Sequence, residues 1–574
     1  MDADGFEVTQ PSSATRLPRG LALGFARHAR DAVPALTAAL PLLFVVALAI
    51  APMGRLAWEG MGHSSLPQWG ADPGLSVMAV WGDAHLRFRL LWSVAQALAS
   101  VMLTLGLGLP VAWVLARFEF VGRRWVMAAL MLPFVVPTLV AGLGILALWG
   151  PHGWIGQRLS SAGWMVSVDD SPWLLILGNL FFNLCVVVRA AADGLARVSA
   201  SHVAVARTLG ATPWRAFWRV EWPAIRLHVA AAACLVFLYC FSGMGLALVL
   251  GGQRWATAEV EVYTLVAHEL RLADASSLAV WTMGIGLAVA GLYAAMSARL
   301  AHADRADHVA RVPPSNVRQW LMLMGAVAVL FVLCLAPLLA TVAAALAQPD
   351  MLWAAWCADD TWHALGNTLV FTGLALLVVL VLGGLLGWAI HPVTGCEPQR
   401  ADRSVAHGLF GVLLQGVSFV PLVTSPVVVA FGLLLLYPGY TASMTLLVGA
   451  YALLALPFVA QSVSQGLMGL PMHPVQAART LGAGPWRVLW RVVLPGIQPS
   501  LRRGLAFAAA TALGEFAISL FLTRPEWMTL TTLIYQHLGR PGADNLQNAH
   551  ALSLLLMFLA LGAFVAIDSG GEHA

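Results

Sequence analysis

Residues 204–215 read Ala204-Val205-Ala206-Arg207-Thr208-Leu209-Gly210-Ala211-Thr212-Pro213-Trp214-Arg215, and residues 476–487 read Gln476-Ala477-Ala478-Arg479-Thr480-Leu481-Gly482-Ala483-Gly484-Pro485-Trp486-Arg487. The second stretch follows the first at an offset of 272 residues without a gap. The match runs on to Val220-Glu221-Trp222-Pro223 and Val492-Val493-Leu494-Pro495. Alanine and arginine favour helix up to Leu209 and Leu481, and Gly210 and Gly482 supply a stop at which φ can be positive. Pro213 and Pro485 then stand at the preferred first position of a new helix. Trp214, Phe217 and Trp218, like Trp486, Leu489 and Trp490, recur at i, i+3, i+4 and give that helix one bulky apolar face. Pro223 and Pro495 are expected to end it. So much identity at one offset marks a chain built of two repeats.

Composition says where the repeats live. Of 574 residues 59% are hydrophobic and 10% charged, less than half of the roughly 25% charged residues of a soluble domain. The mean hydropathy is +0.79. Such a chain is not disordered, fibrous or nucleic-acid-binding, and it cannot cover a soluble enzyme with charge. A membrane core of about 30 Å needs about 20 apolar helical residues. Twelve runs of that kind begin near Val33, Leu90, Val126, Trp173, His228, Leu278, Trp320, Leu365, Leu409, Thr445, Gly504 and Ala551. The first is read as an uncleaved anchor, although Ala47-Leu48-Ala49 resembles a processing site.

The sequence contains no lysine, so its 32 basic residues are all arginine. Arg16, Arg19, Arg27 and Arg30 precede the first run and place the N-terminus in the cytoplasm. With twelve alternating spans most of the other arginines also fall inside, and the C-terminus is cytoplasmic too. The segments assigned outside are acidic: Asp169 and Asp170, then Glu259, Glu261 and Glu269, then Asp350, Asp359 and Asp360. The expected plan is a cytoplasmic segment 1–32, a first half 33–296, a cytoplasmic linker 297–318, a second half 319–567 and a tail 568–574. The repeats are then parallel, six spans and six. Both matched stretches lie in cytoplasmic loops, after the fourth and tenth spans. An amphipathic helix there could rest on lipid, but lipid does not demand the same Gly-x-x-Pro-Trp-Arg twice. A pair of docking helices for a two-fold partner explains the repetition better.

These loops resemble the EAA loops of permease subunits of ABC importers, in which a glycine and a later I-x-L-P stand at fixed spacing. Gly210 and Gly482 occupy the glycine position, Pro223 and Pro495 the final proline. Ala204 and Gln476 stand where the family has glutamate. Beyond the loops the sequence is similar to the fused two-domain permeases of bacterial thiamine importers. Leu132-Pro133-Phe134-Val135-Val136-Pro137-Thr138, Gly144-Ile145-Leu146, Phe181-Phe182-Asn183-Leu184, Glu261-Val262-Tyr263 and Leu533-Ile534-Tyr535-Gln536-His537-Leu538-Gly539 carry that likeness. It covers roughly residues 80–300 and, more weakly, 360–567. Ferric-iron permeases share the plan, so thiamine and iron both stay open as cargo.

The resemblance implies an all-α polytopic fold of two six-helix permease repeats in the bacterial inner membrane. It also implies that a periplasmic substrate-binding protein delivers the cargo and that a separate homodimeric ATPase, using ATP and Mg, docks on the cytoplasmic face. Ala204, Ala206, Gly210, Pro213, Trp214 and Pro223, with Gln476, Ala478, Gly482, Pro485, Trp486 and Pro495, are then the coupling positions. The chain has no Walker A loop and binds no cofactor of its own. A secondary transporter is the main rival; it carries more ion-coupling residues within its spans. A membrane scaffold needs neither the repeated loops nor a buried acid.

Glu515 is the intramembrane acid, expected inside the eleventh span in Leu513-Gly514-Glu515-Phe516. A carboxylate there costs about 2.5–3.5 kcal/mol and faces the bundle interior or a watery path. Its repeat counterpart is Gly243, next to Ser242. Glu515, Gly243, Ser242 and Asn183 are the candidates for contact with cargo, against the alternatives of a structural carboxylate and, for Asn183, an interhelical hydrogen bond. Trp149, Trp154, Trp164 and Trp173 read as interfacial belt residues. The six cysteines show no metal spacing and read as small core residues, and the histidines lack a zinc pair.

Overall fold

The computed structural model describes residues 37–61, 77–163, 172–300, 311–390, 405–441, 443–522 and 524–568. Arg16, Arg19, Arg27, Arg30, Trp164, Asp169, Asp170 and Cys396 lie outside them. Helices dominate, and the one β-type pairing among the described residues is a bridge between Phe118 and Val312, which pins the linker beside the end of the helix Ala84–Arg117.

Among the described residues nine helices are long and apolar enough to span a membrane, and two bent pairs raise the number to at most eleven. The twelve expected runs all fall on these helices and on Leu494–Leu513, with two departures from a plain span. The runs near Val126 and Leu409 are broken: Arg123–Val135 meets Thr138–Trp149 at 110°, and Leu414–Val423 meets Pro426–Leu436 at 97°. Prolines cause both breaks, since Pro137 and Pro426 cannot donate to the preceding turn. The run near Gly504 is the helix Leu494–Leu513. Arg502 and Arg503 lower its hydropathy, whereas its counterpart Pro213–Phe241 passes as a span.

The repeat is structural as well as sequential. At the 272-residue offset Trp173–Ala196 corresponds to Met444–Gly469, Ala200–Thr208 to Met472–Thr480, Trp222–Phe241 to Leu494–Leu513, and Ala258–Ala267 to Leu530–Gly539. Four π-helical turns recur in the two halves: Phe217–Glu221 matches Leu489–Val493 at this offset, and Val46–Ile50 and Phe331–Leu335 lie in the first span of each half. Each stands just before a helix whose second residue is proline, namely Pro52, Pro223, Pro337 and Pro495. In each the residue before the proline donates its N–H to the carbonyl five residues back. The proline lacks an N–H and its ring crowds the carbonyl four residues back, so the helix widens by one residue and continues. Pro223 and Pro495 therefore do not end the short helices, contrary to expectation. The chain runs from Pro213 to Phe241 as one span.

The halves are held by exchanged first spans. Thr37–Gly60 packs on Pro426–Leu436 of the second half, and Ala336–Leu346 packs on Thr138–Trp149 of the first. The two crossings are alike. At one, a Cβ on Gly144 would overlap the Pro337 carbonyl oxygen and the Thr341 hydroxyl; at the other, a Cβ on Gly432 would lie 2.8 Å from the Pro52 carbonyl oxygen. Each crossing thus sets a glycine against the proline backbone that follows a π turn, and adjacent hydrogen bonds support both. The Thr341 hydroxyl lies 3.5 Å from the Val140 carbonyl, and the Tyr437 hydroxyl donates to the Ala47 carbonyl at 3.1 Å. Close backbone approach through small residues is how membrane helices gain dispersion without a hydrophobic drive. Gly383 and Gly387 do the same within the second half, against Val459, Ala460 and Val463.

One buried cluster joins both halves, including Leu139, Phe181, Leu338, Phe431, Phe516 and Leu552. Cys185, Cys234, Cys240 and Cys334 are buried and unpaired, while Cys357 is exposed. Replacing Gly144 or Gly432 by valine forces the crossing backbones apart, at a cost of about 1–3 kcal/mol each. Thermal unfolding of the purified chain in detergent should show this loss, whereas Gly325→Ala, where the added Cβ meets nothing, should stay within about 1 kcal/mol of wild type.

Candidate functional site

The helices that follow the two repeated loops break where the halves meet. In the first half Trp222–Phe241 stops, Ser242 and Gly243 intervene, and Met244–Leu250 follows; in the second Leu494–Leu513 stops and Ala517–Leu522 follows. Each break faces the bend of the opposite half. A Cβ on Gly514 would lie 3.3 Å from Pro137 Cα of the first half. Ser242 faces Val423, Thr424 and Ser425 across a narrow cleft. The cleft takes Leu238, Phe241, Ser242, Glu259 and Thr282 from the first half and Val423 to Ser425 from the second.

Of the cargo candidates, only Ser242 lines this cleft, its hydroxyl donating to the Leu238 carbonyl at 2.7 Å. Gly243 is adjacent, at the break itself. Asn183 lies inside the first half, where its amide donates to the Asn179 carbonyl at 2.8 Å and to Cys240 Sγ at 3.3 Å. Glu515 is not within the eleventh span, as expected, but just beyond the end of Leu494–Leu513. Its carboxylate accepts the Ile518 N–H at 2.9 Å and so caps the short helix Ala517–Leu522. Its backbone carbonyl accepts the Thr531 hydroxyl at 3.1 Å.

The acids assigned to the outside divide. Glu269, Asp350, Asp359 and Asp360 are exposed. Glu259 and Glu261 are instead buried in the first turn of the helix Ala258–Ala267. Glu261 is paired with Arg89 at 3.0 Å and with His85 at 3.0 Å, and Arg89 also donates to the carbonyls of Gln253 and Arg254. Glu259 instead accepts a hydrogen bond from Ser425 of the other half. Ser425 also accepts the Val427 N–H at 3.1 Å and caps the helix Pro426–Leu436. Sequence reasoning passed over Glu259 because Gly251–Thr257 reads as a loop. The available signal was two acids separated by one valine in an otherwise apolar run.

The two repeated loops share one geometry. The helix Ala200–Thr208, which carries Ala204 and Ala206, ends before Gly210 at φ +85°; the helix Met472–Thr480, which carries Gln476 and Ala478, ends before Gly482 at φ +81°. An L side chain rarely adopts that backbone. Pro213 and Pro485 open the next helix, and the Thr212 hydroxyl caps the first copy by accepting the Arg215 N–H at 3.3 Å. The large side chains beside the turns face outward: Leu209 is 82% exposed, Trp214 69%, Leu481 87% and Trp486 69%. Pro223 and Pro495 are also exposed. Trp214 packs on Phe217 and Trp218, and Trp486 on Trp490, so each apolar face is braced from its own side. Behind the first loop Arg117 pairs with the buried Glu221, while the second half has Val493 in place of Glu221.

Trp149 and Trp173 stack edge to face, and Trp154 is exposed. Among the described residues no group of three histidine, cysteine, aspartate or glutamate side chains could hold a metal.

A helical chain of two parallel repeats, with a broken-helix cleft between them and paired exposed loops at one end, is a multi-spanning transport permease and not an enzyme. It belongs to the family described as the binding-protein-dependent transport system inner membrane component, which matches residues 105–346 and 404–567. It is therefore a multi-pass inner-membrane subunit of a binding-protein-dependent importer. The chain is 26% identical over 533 residues to the Thiamine transport system permease protein ThiP of Escherichia coli (strain K12), covering 91% of this chain and 94% of that protein. It is 25% identical over 465 residues to the protein of the same name from Haemophilus influenzae, covering 80% and 84%. Over 215 residues it is 33% identical to the Sulfate transport system permease protein CysW of Synechocystis sp., covering 38% of this chain and 74% of that protein.

Removing the cap of Ala517–Leu522 by Glu515→Ala should cost about 1 kcal/mol, the usual value of a helix N-terminal acceptor. Glu515→Gln keeps an oxygen for the Ile518 N–H and should lose less. Thermal unfolding of the two variants checks this, and equal losses would show that the charge, rather than the cap, is what the site needs.

Proposed function

We propose that the chain is the translocation subunit of an ATP-driven thiamine importer, receiving its cargo from a periplasmic binding protein and passing it to the cytoplasm. The observation that carries the cargo assignment is the end-to-end likeness to permeases named for thiamine transport, which spans 91% of the chain. The coupling assignment rests on the two exposed turns at Gly210 and Gly482. Their equal geometry and symmetric placement suit a separate homodimeric ATPase that uses ATP and Mg. Leu209 and Trp214 on one loop, Leu481 and Trp486 on the other, supply the apolar contact that such a partner buries. In this reading both termini are cytoplasmic, and the loops deliver the closure of the ATPase dimer to the spans that begin at Pro213 and Pro485.

The mechanism follows from rigidity. Each coupling helix is continuous with its span through a π turn, so a displacement of the loop is transmitted along the span to the break at Ser242–Gly243 or Gly514–Glu515. The breaks lie against the bends of the opposite half. Drawing the loops together therefore changes how the halves meet at the cleft.

Uptake of labelled thiamine in cells lacking the chain, with and without its restoration, tests the proposal. Restored uptake that also fails with an ATPase subunit able to bind but not hydrolyse ATP is the expected result. Thiamine entry indifferent to the chain would overturn the cargo, and ferric-iron uptake measured in the same cells would then decide for the iron permeases. Gly210→Val and Gly482→Val put a β-branched residue at positive φ, a strain of about 1–3 kcal/mol that the turn relieves by shifting the docking face. Each should lower uptake per ATP hydrolysed, and unchanged coupling in both would remove the role assigned to the loops.

A further inference from the structure

The buried acids of the described residues differ in what neutralises them. Glu59 is paired with Arg55, Glu221 with Arg117, Glu261 with Arg89, and Asp274 with Arg271. Glu515 forms no ion pair among the described residues, but its carboxylate takes a backbone N–H at a helix start. Glu259 has neither. It is 1% exposed, it accepts a hydrogen bond from one serine hydroxyl of the opposite half, and among the described residues no basic side chain pairs with it. It is also the acid that lines the inter-half cleft, among Leu238, Phe241, Val423 and Val428. A carboxylate among apolar groups is costly unless a cation or several donors compensate it. One hydroxyl is a small compensation.

We infer that the missing cation is the cargo's: Glu259 is the carboxylate that receives a positively charged organic substrate in the cleft. Ser425 holds the acid while the cleft is narrow. This rests on the thiamine reading above, because thiamine carries a fixed positive thiazolium that no proton transfer can neutralise. Ser425 is at the same time the cap of Pro426–Leu436 and the bend of the second half. When a cation replaces the serine at Glu259, the hydrogen bond that ties the first half to that bend is released. Cargo in the cleft therefore loosens the contact that closes it. The arrangement is one-sided: the residue corresponding to Glu259 in the second half is Thr531, which donates to the Glu515 carbonyl. One acid serves one cation on a pseudo-two-fold path.

The test is thiamine uptake by the assembled importer carrying Glu259→Gln, Glu259→Asp, Ser425→Lys or Ser425→Met. Chain abundance in the membrane and ATP hydrolysis stimulated by the loaded binding protein are measured alongside. Glu259→Gln retains an acceptor for Ser425 and loses only the charge; uptake should fall about tenfold or more, the worth of a charged hydrogen-bonded contact, while stimulated hydrolysis persists. Glu259→Asp should recover part of the uptake. Ser425→Lys supplies a resident cation and should lower uptake much further than the equally long neutral Ser425→Met, which loses the same hydroxyl and cap without adding charge. Uptake by Glu259→Gln close to wild type, or equal losses for lysine and methionine at 425, would overturn the inference. If the wild-type importer carries no thiamine at all, the cargo reading has failed and takes the inference with it, an outcome distinct from a working importer indifferent to Glu259.

Discussion

Two glycine–proline crossings hold this molecule together, Gly144 against Pro337 and Gly432 against Pro52. In a bilayer the apolar faces of helices gain little by leaving lipid for one another, so association depends on close packing and on hydrogen bonds. The crossings supply both where the first span of each half reaches over to the other. Because the first spans are exchanged, neither half closes its own core. The bends after Val136 and Thr424 then face the breaks at Gly514 and Ser242 across the boundary between halves, and the cleft is a consequence of that exchange.

Proline acts in two distinct ways here. At Pro137 and Pro426 it ends one helix and begins another at nearly a right angle. At Pro52, Pro223, Pro337 and Pro495 the preceding turn widens to a π-helix and the span continues. The difference lies in what surrounds the freed carbonyls: the second group has an unbroken helix on both sides and only needs to shift its hydrogen bonds by one residue. For function the distinction matters, because continuity from Pro213 to Phe241 makes one stiff element that joins an exposed turn to the break at Ser242.

Much of the architecture was legible in the chain alone. The 272-residue repeat, the positive φ at Gly210 and Gly482, the all-helical fold and the new helices opened by Pro213 and Pro485 follow from local chemistry that neighbours do not override. The broken spans were less legible, since proline by itself does not say whether a helix will kink, widen or stop. The burial of Glu259 and Glu261 was not legible for a related reason: a helix that begins within the protein and a polar loop outside it share the same short run of glycine, threonine and acid.

The sequence by itself determined the class of protein, the doubling of its halves and the form of its repeated turns, because composition, periodicity and glycine chemistry act over a few residues. Only the tertiary structure decided which side chains meet. It set Asn183 among partners of its own half, committed the Glu515 carboxylate to a helix start, and brought Glu259 to Ser425 from 166 residues away. Those outcomes depend on how two halves cross, and a crossing is settled by the fit of backbones that are far apart in the chain.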